Sequence, residues 1–332
     1  MAIPQEVSIG VGPEVTYKTG VTPVTFYEPI AENLDFMLKP VQGQGLRVGK
    51  IGDFADRRVI PTADGGGDFT VEAISKSLGK LFQAWLGTGV STVITAPAYM
   101  QNFTPGNSPS PLTVQKATIE AGGTVDPLTF LGCMVTDWEL NIPNGGIVEL
   151  KTSFDIGDIA TATAYAAPSY PTTASLFHWG NASFSTGTFT AGSTTTLATA
   201  ATPMVNVRSL NVKGKNNLIV DRFNGGGGGR KSKPLPGKRE FSGSLVLEYD
   251  STTFRDAYLQ QTQTTLIAKI TGGSIGASTE TLQVNLPAIK LNKGIAMANG
   301  DKLVTVSYDF DVLDDRTDPM VQIQYLTGDT TI

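Results

Sequence analysis

Apolar and polar residues alternate with a period of two along much of this chain, the pattern of half-buried β-strands. The clearest case lies mid-chain. Met134, Thr136, Trp138, Leu140 and Ile142 fall on one face of residues 134–142. Asn144-Gly145-Gly146 supplies a turn, and Val148, Leu150, Thr152, Phe154 and Ile156 share one face of residues 147–156. This predicts a hairpin. Further strands are expected at 69–72, 112–119, 205–212 and 218–221, with shorter β-like pieces at 15–17, 24–27, 46–48 and 175–179. The period turns helical after residue 73. Ile74, Leu78, Leu81, Phe82 and Trp85 recur at the spacing of an amphipathic helix, with Ser75 as the expected N-cap and Gly87 as the stop. Leu78, Phe82 and Trp85 are therefore expected in the core.

Glycine and proline punctuate these segments. Residues 50–68, with Asp53-Phe54-Ala55-Asp56-Arg57-Arg58 and Asp64-Gly65-Gly66-Gly67-Asp68, read as a long polar loop. Residues 224–233 read as a second, with five consecutive glycines before Arg230-Lys231-Ser232-Lys233. Pro97, Pro105, Pro109 and Pro111 predict loop over 96–111. Residues 1–40 read as an extended arm. Residues 160–203, low in charge and rich in Ala, Thr and Pro, read as a connector carrying one hairpin.

The second half repeats the first. After each glycine-rich loop come a strand, a serine and a helix: Val71-Glu72 matches Leu247-Glu248, Ser75 matches Ser251, and Leu78 and Phe82 match Phe254 and Tyr258. A second hairpin is expected from 282–291 and 303–313 around a turn near Asn299-Gly300-Asp301. Ser153-Phe154-Asp155 matches Ser307-Tyr308-Asp309. The longer spacing in the first copy is about the size of the proline-rich stretch at 96–111, so one insertion accounts for it. The expected division is an arm at 1–40, a domain at 41–159, the connector at 160–203, a second domain at 204–315 and a tail at 316–332.

Composition narrows the chemistry. Charged residues are 17 % of 332, below the usual quarter or so, and the net charge is −5. An acidic chain is a poor tight binder of nucleic acid. Cys133 and His178 are the only residues of their kinds, which excludes an intrachain disulfide and a Cys/His metal set. Both read as packing residues. Lys231-Ser232 follows Arg230 rather than glycine, and Pro234 and Pro236 precede any helix, so a phosphate-binding loop is rejected. Asp64 to Asp68 lacks the spacing of a calcium loop, and Asp314, Asp315 and Asp318 read as an exposed acidic face. No catalytic residue, metal or cofactor is expected. Neither a basic, apolar leader nor a membrane-length apolar run is visible, so synthesis in the cytoplasm is expected.

Three stretches together resemble the tail tube proteins of phages with long, non-contractile tails. The first is Ile9-Gly10, Glu14, Tyr17-Lys18-Thr19-Gly20 and Thr22-Pro23. The second runs from Gly132-Cys133 through Trp138-Glu139-Leu140 to Gly146 and Ser153-Phe154. The third is Pro236, Arg239, Ser242-Gly243-Ser244, Leu247, Phe254, Leu286-Pro287 and Phe310. The resemblance implies a mainly β protein with two duplicated, sandwich- or barrel-like tube domains, each carrying one short helix. It implies stacked rings in the virion around a lumen through which DNA passes without specific binding. Combined with the duplication, it favours a trimeric ring of pseudo-sixfold symmetry over a true hexamer. Expected partners are further copies, a tape measure protein, and terminator and tip proteins. Phe54, Arg57, Arg58, Asp64 and Asp68 in the first loop, and Arg230, Lys231, Lys233, Lys238 and Arg239 in and after the second, are the candidates for contacts between subunits. The alternatives are a carbohydrate-binding or adhesin-like β-sandwich, which would expose an aromatic platform, and a β-sandwich hydrolase, which would need paired carboxylates in a pocket.

Overall fold

The computed structural model describes residues 2–296 and 303–332. The first half runs β1 (Ala2–Pro13), β2 (Thr25–Tyr27), β3 (Pro29–Glu32), β4 (Asp35–Gln42), β5 (Arg58–Glu72), α1 (Gly79–Leu86), β6 (Val90–Thr95), β7 (Ala98–Phe103), β8 (Leu112–Glu120), β9 (Val125–Ile142), β10 (Glu149–Ile156) and β11 (Asp158–Ala160). The second runs β12 (Ala182–Thr190), β13 (Thr199–Met204), β14 (Val207–Lys215), β15 (Glu240–Glu248), α2 (Thr253–Gln260), β16 (Thr264–Ile275), β17 (Ser278–Leu291), β18 (Thr305–Val312) and β19 (Gln322–Thr327). The protein is mainly β, and every strand pairing is antiparallel.

One wall crosses both halves. Its hydrogen-bonded order is β4–β5–β10–β9–β14–β15–β18–β17. The registers bring Val71, Leu150, Leu140, Val212, Gly243 and Phe310 into one row across six strands, on the core face. The next core-facing row contains Trp138 and Gly214. A Cβ on Gly214 would lie 2.3 Å from the Trp138 indole, so only glycine lets the ring lie flat across β14. Trp85 of α1 stacks on Trp138 at 4.9 Å and 4°, with its Nε1 donating to Thr152 Oγ1 at 2.8 Å. The helix thus seals the core from the side away from the wall's polar face.

The two halves follow the same order of pairings. β8 and β11 flank the first part of β9 as β16 and β19 flank the first part of β17. β10 lies between β5 and β9, as β18 lies between β15 and β17. β1 and β2 add to β8 as β12 and β13 add to β16.

Several expectations need correction. Residues 2–13 are no free arm: β1 pairs along β8, and Ile9 and Val11 are fully buried. Residues 15–17 lie in a turn and 46–48 are not in a strand. The glycine run 65–67 is not loop but the middle of β5, paired with β4 on one side and β10 on the other. The stretch 96–111 contains β7, which pairs with β6 and with β19 of the second half. The connector 160–203 carries one hairpin, as expected, formed by β12 and β13, and it adds to β16; the tail 316–332 contributes β19. Residues 218–221 make a single bridge, Ile219 to Leu235, rather than a strand. α1 starts at Gly79, not beside Ser75. Ile74 bridges to Leu176, the Ser75 hydroxyl accepts from the Ser175 N–H, and Ser77 takes a left-handed φ of 67°. The stop at Gly87 is where the pattern places it, with φ 90°. β17 pairs with β18 over only three residue pairs, and β18 lies chiefly on β15. The turn expected at Asn299-Gly300-Asp301 lies outside the described residues.

Candidate assembly surfaces

Three successive rows of the wall's outer face, from β5 to β18, are polar. One row across it is Glu72, Glu149, Asn141, Asn211, Ser244 and Asp309; the next is Thr70, Lys151, Glu139, Lys213, Ser242 and Asp311. A third holds Asp68, Ser153, Asp137, Lys215 and Glu240. None of these residues is buried. Carboxylates outnumber the lysines Lys151, Lys213 and Lys215. Two lysines are engaged across strands, Lys151 with Asp68 at 3.2 Å and Lys213 with Glu139 at 3.5 Å. These rows are therefore polar and net negative.

β4 closes one end of the wall. Its only strand partner among the described residues is β5, so its other edge is open. Pro40 sits in it, as on many edge strands. Beyond β4 the β4–β5 hairpin projects through residues 43–57. Met37, Leu38, Val41, Leu46, Val48, Ile51, Val59 and Ile60 all stand more than half exposed here. Adjacent strand residues point to opposite faces, so these exposed apolar side chains lie on both sides of the hairpin. Within it the guanidiniums of Arg47 and Arg57 lie 5.2 and 5.0 Å from the Phe54 ring. Arg57 and Arg58 are exposed.

The second glycine loop behaves differently from the first. Lys231 is 3 % exposed, and its ammonium contacts Asp64 Oδ1 and Asp155 Oδ1. Lys18 Nζ donates to the Lys231 carbonyl, and Arg230 pairs with Asp158 at 3.0 Å. Burial alone would lower the Lys231 pKa; the hydrogen bonds it donates to Asp155 and Asp64 outweigh that and raise it. Burial acts on both carboxyls as well. At Asp155 it prevails and raises the pKa, whereas hydrogen bonds from Lys231 and Lys39 bring Asp64 below its usual value. Nearby, Glu14 accepts from the Gly132 N–H, Thr113 Oγ1 and the Lys18 N–H at 2.8–2.9 Å, tying the turn after β1 to β9. Burial still holds its carboxyl above the usual range.

The candidates thus fall into three groups. Phe54, Arg57 and Arg58 lie on the projecting hairpin. Lys233 and Lys238 are exposed. Asp64, Arg230 and Lys231 pair within the chain, Asp68 pairs with Lys151, and Arg239 Nη1 donates to the Leu86 carbonyl at the end of α1. Leu78, Phe82 and Trp85 are fully buried, although Leu78 precedes the helix rather than lying in it. Phe254 is buried, and Tyr258 is half-buried against the same core. Asp155, Asp158, Glu14 and β4 escaped the sequence reading. Asp155 stood in the repeated Ser-Phe-Asp motif, but its partner lies 76 residues away.

The sequence pattern of the phage tail tube protein family matches residues 4–312. The chain belongs to that family. The match covers both halves and the polar wall between them. It makes the protein a structural component of a phage tail tube, which associates with itself and with other tail components in the virion. No curated protein matches the sequence. In this tube protein the polar wall face, the β4 edge and the projecting hairpin are exposed.

Proposed function

We propose that three copies close into a ring of pseudo-sixfold symmetry, and that stacked rings form the tube of a long, non-contractile tail. The observation that carries this is the wall, polar outside and apolar inside across both halves. The halves are two tube domains, with the division moved to include β12, β13 and β19 in the second. Within the chain, β14 of the second half adds to β9 of the first. Between chains, the open β4 edge, which flanks β5 as β14 flanks β15, adds to the β17–β18 end of a neighbour. Repetition then curves the wall into a barrel with no free edge.

The polar face lines the lumen. Its excess of carboxylates repels the phosphates of passing DNA, so DNA slides and is not held. The hairpin with Phe54, Arg57 and Arg58, and the exposed Lys233 and Lys238, meet the next ring. A tape measure protein occupies the lumen during assembly, and terminator and tip proteins cap the ends; the chain is made in the host cytoplasm and acts without catalysis. Light scattering and negative-stain electron microscopy test the reading. Concentrated protein should give rings with three copies, and then tubes. A monomer at high concentration, or rings of six copies, would refute it.

A further inference from the structure

Both strands of the projecting hairpin are gripped near its base, and the grip comes from the other half of the chain. The loop leaving β14 crosses to the first half. There the Ala63 N–H donates to the Gly229 carbonyl at 3.0 Å. Gly229 has φ 76°, and a Cβ on it would lie 2.4 Å from the Pro61 carbonyl oxygen, so the backbones touch. Lys231 reaches Asp64 of β5 and Asp155 of β10. On the β4 side, the Arg230 guanidinium covers the Phe36 ring at 5.1 Å. Four register pairs further on, Val41 opposes Val59, and the hairpin continues into its projecting part.

We propose that residues 223–231 are a clamp that sets the direction in which the β4–β5 hairpin projects, so that the second half positions the docking element of the first. Two-stranded ribbons twist and flex strongly, and an isolated hairpin is marginal in water. Held only at β5, the hairpin tip would sample many directions, and a ring-to-ring contact would have to select one of them. The buried lysine, the backbone contact and the stacked arginine together remove that freedom before assembly. The cluster therefore acts on assembly through the hairpin and not by touching a neighbour. This rests on the reading that the hairpin makes the contact between rings.

The test uses the full chain. Arg230→Ala removes the stack on Phe36 and the Asp158 pair without leaving a buried charge alone. The double variant Lys231→Met/Asp155→Asn removes the buried pair and leaves Asp64 its Lys39 partner. Hydrogen exchange is read on the amides of residues 36–64 in unassembled protein, and tube yield and length by electron microscopy. In both variants exchange should rise at least about tenfold in this segment with the rest unchanged, and tubes should become fewer and shorter. Unchanged exchange, or faster exchange with normal tubes, overturns the clamp. Deleting residues 44–52 is the control for the underlying reading: if that protein still forms normal tubes, the hairpin is not the ring contact, whatever the clamp variants do.

Discussion

Lys231→Met keeps most of the side-chain volume and removes the ammonium between Asp64 and Asp155. Asp155 is 6 % exposed and loses its only cation within ion-pair distance among the described residues, whereas Asp64, at 28 %, keeps Lys39 at 3.1 Å. Breaking a buried pair by deleting one partner costs about 3–5 kcal/mol. The residual partner of Asp64 places the expected loss near the lower end, about 3 kcal/mol. Its pH dependence has a definite sign. Without the lysine, Asp155 rises further above its unfolded pKa of about 3.9. A carboxyl raised on folding destabilises the native state above its folded pKa and ceases to do so as the pH falls through it. The difference between wild type and variant should therefore be largest at neutral pH and shrink toward pH 4. In the wild type, the raised lysine contributes stability that is complete below about pH 10 and lost as the pH rises through its folded pKa. Urea unfolding of unassembled protein, followed by tryptophan fluorescence at several pH values, reads these differences. A loss under about 1 kcal/mol at pH 7, or an equal loss at pH 5 and 7, would refute the buried-pair account.

Three further outcomes are expected. Trp85→Ala should cost about 3–5 kcal/mol, because it removes a fully buried ring stacked on Trp138 and strands the Thr152 hydroxyl; calorimetry and near-UV circular dichroism would show it. Met37→Lys with Val41→Lys, both on exposed positions of β4, should shift stability by no more than about 0.5 kcal/mol each yet leave the protein monomeric by light scattering. Asp309→Lys with Asp311→Lys should leave folding intact while reversing the local charge of the wall; assembled variant tubes should retain DNA fragments at low salt and release them as salt rises, while wild-type tubes retain none.

The period-two pattern located the β9–β10 hairpin because its apolar rows face one core and its turn residues are local. It located the end of α1 for the same reason, since Gly87 needs only its own left-handed φ. It misplaced the start, because Ile74 fits a helical stripe as well as the bridge it makes to Leu176. Glycine-rich composition signals loops, but at 65–67 it serves a strand paired on both edges. Lys231 reads as a loop charge for contacts between subunits, whereas the fold brings Asp64 and Asp155 to it across the halves. Non-local pairing of this kind leaves no periodic trace. The polar wall face was legible strand by strand as alternation, but its continuity depends on the β9–β14 register, which no local pattern encodes.

That β9–β14 joint has a consequence for the kinetics of assembly. Because its two strands belong to one chain, it forms when the chain folds, at a rate independent of protein concentration. In a ring of three, half of the wall joints are made this way before any two molecules meet. Three joints lie between molecules: two form by bimolecular association and the third closes the ring within one complex, so translational and rotational freedom is lost for two associations rather than the five that six single-domain subunits would need. Ring formation should then follow a lower power of protein concentration than it would for single-domain subunits, so that rings begin to form in more dilute solution.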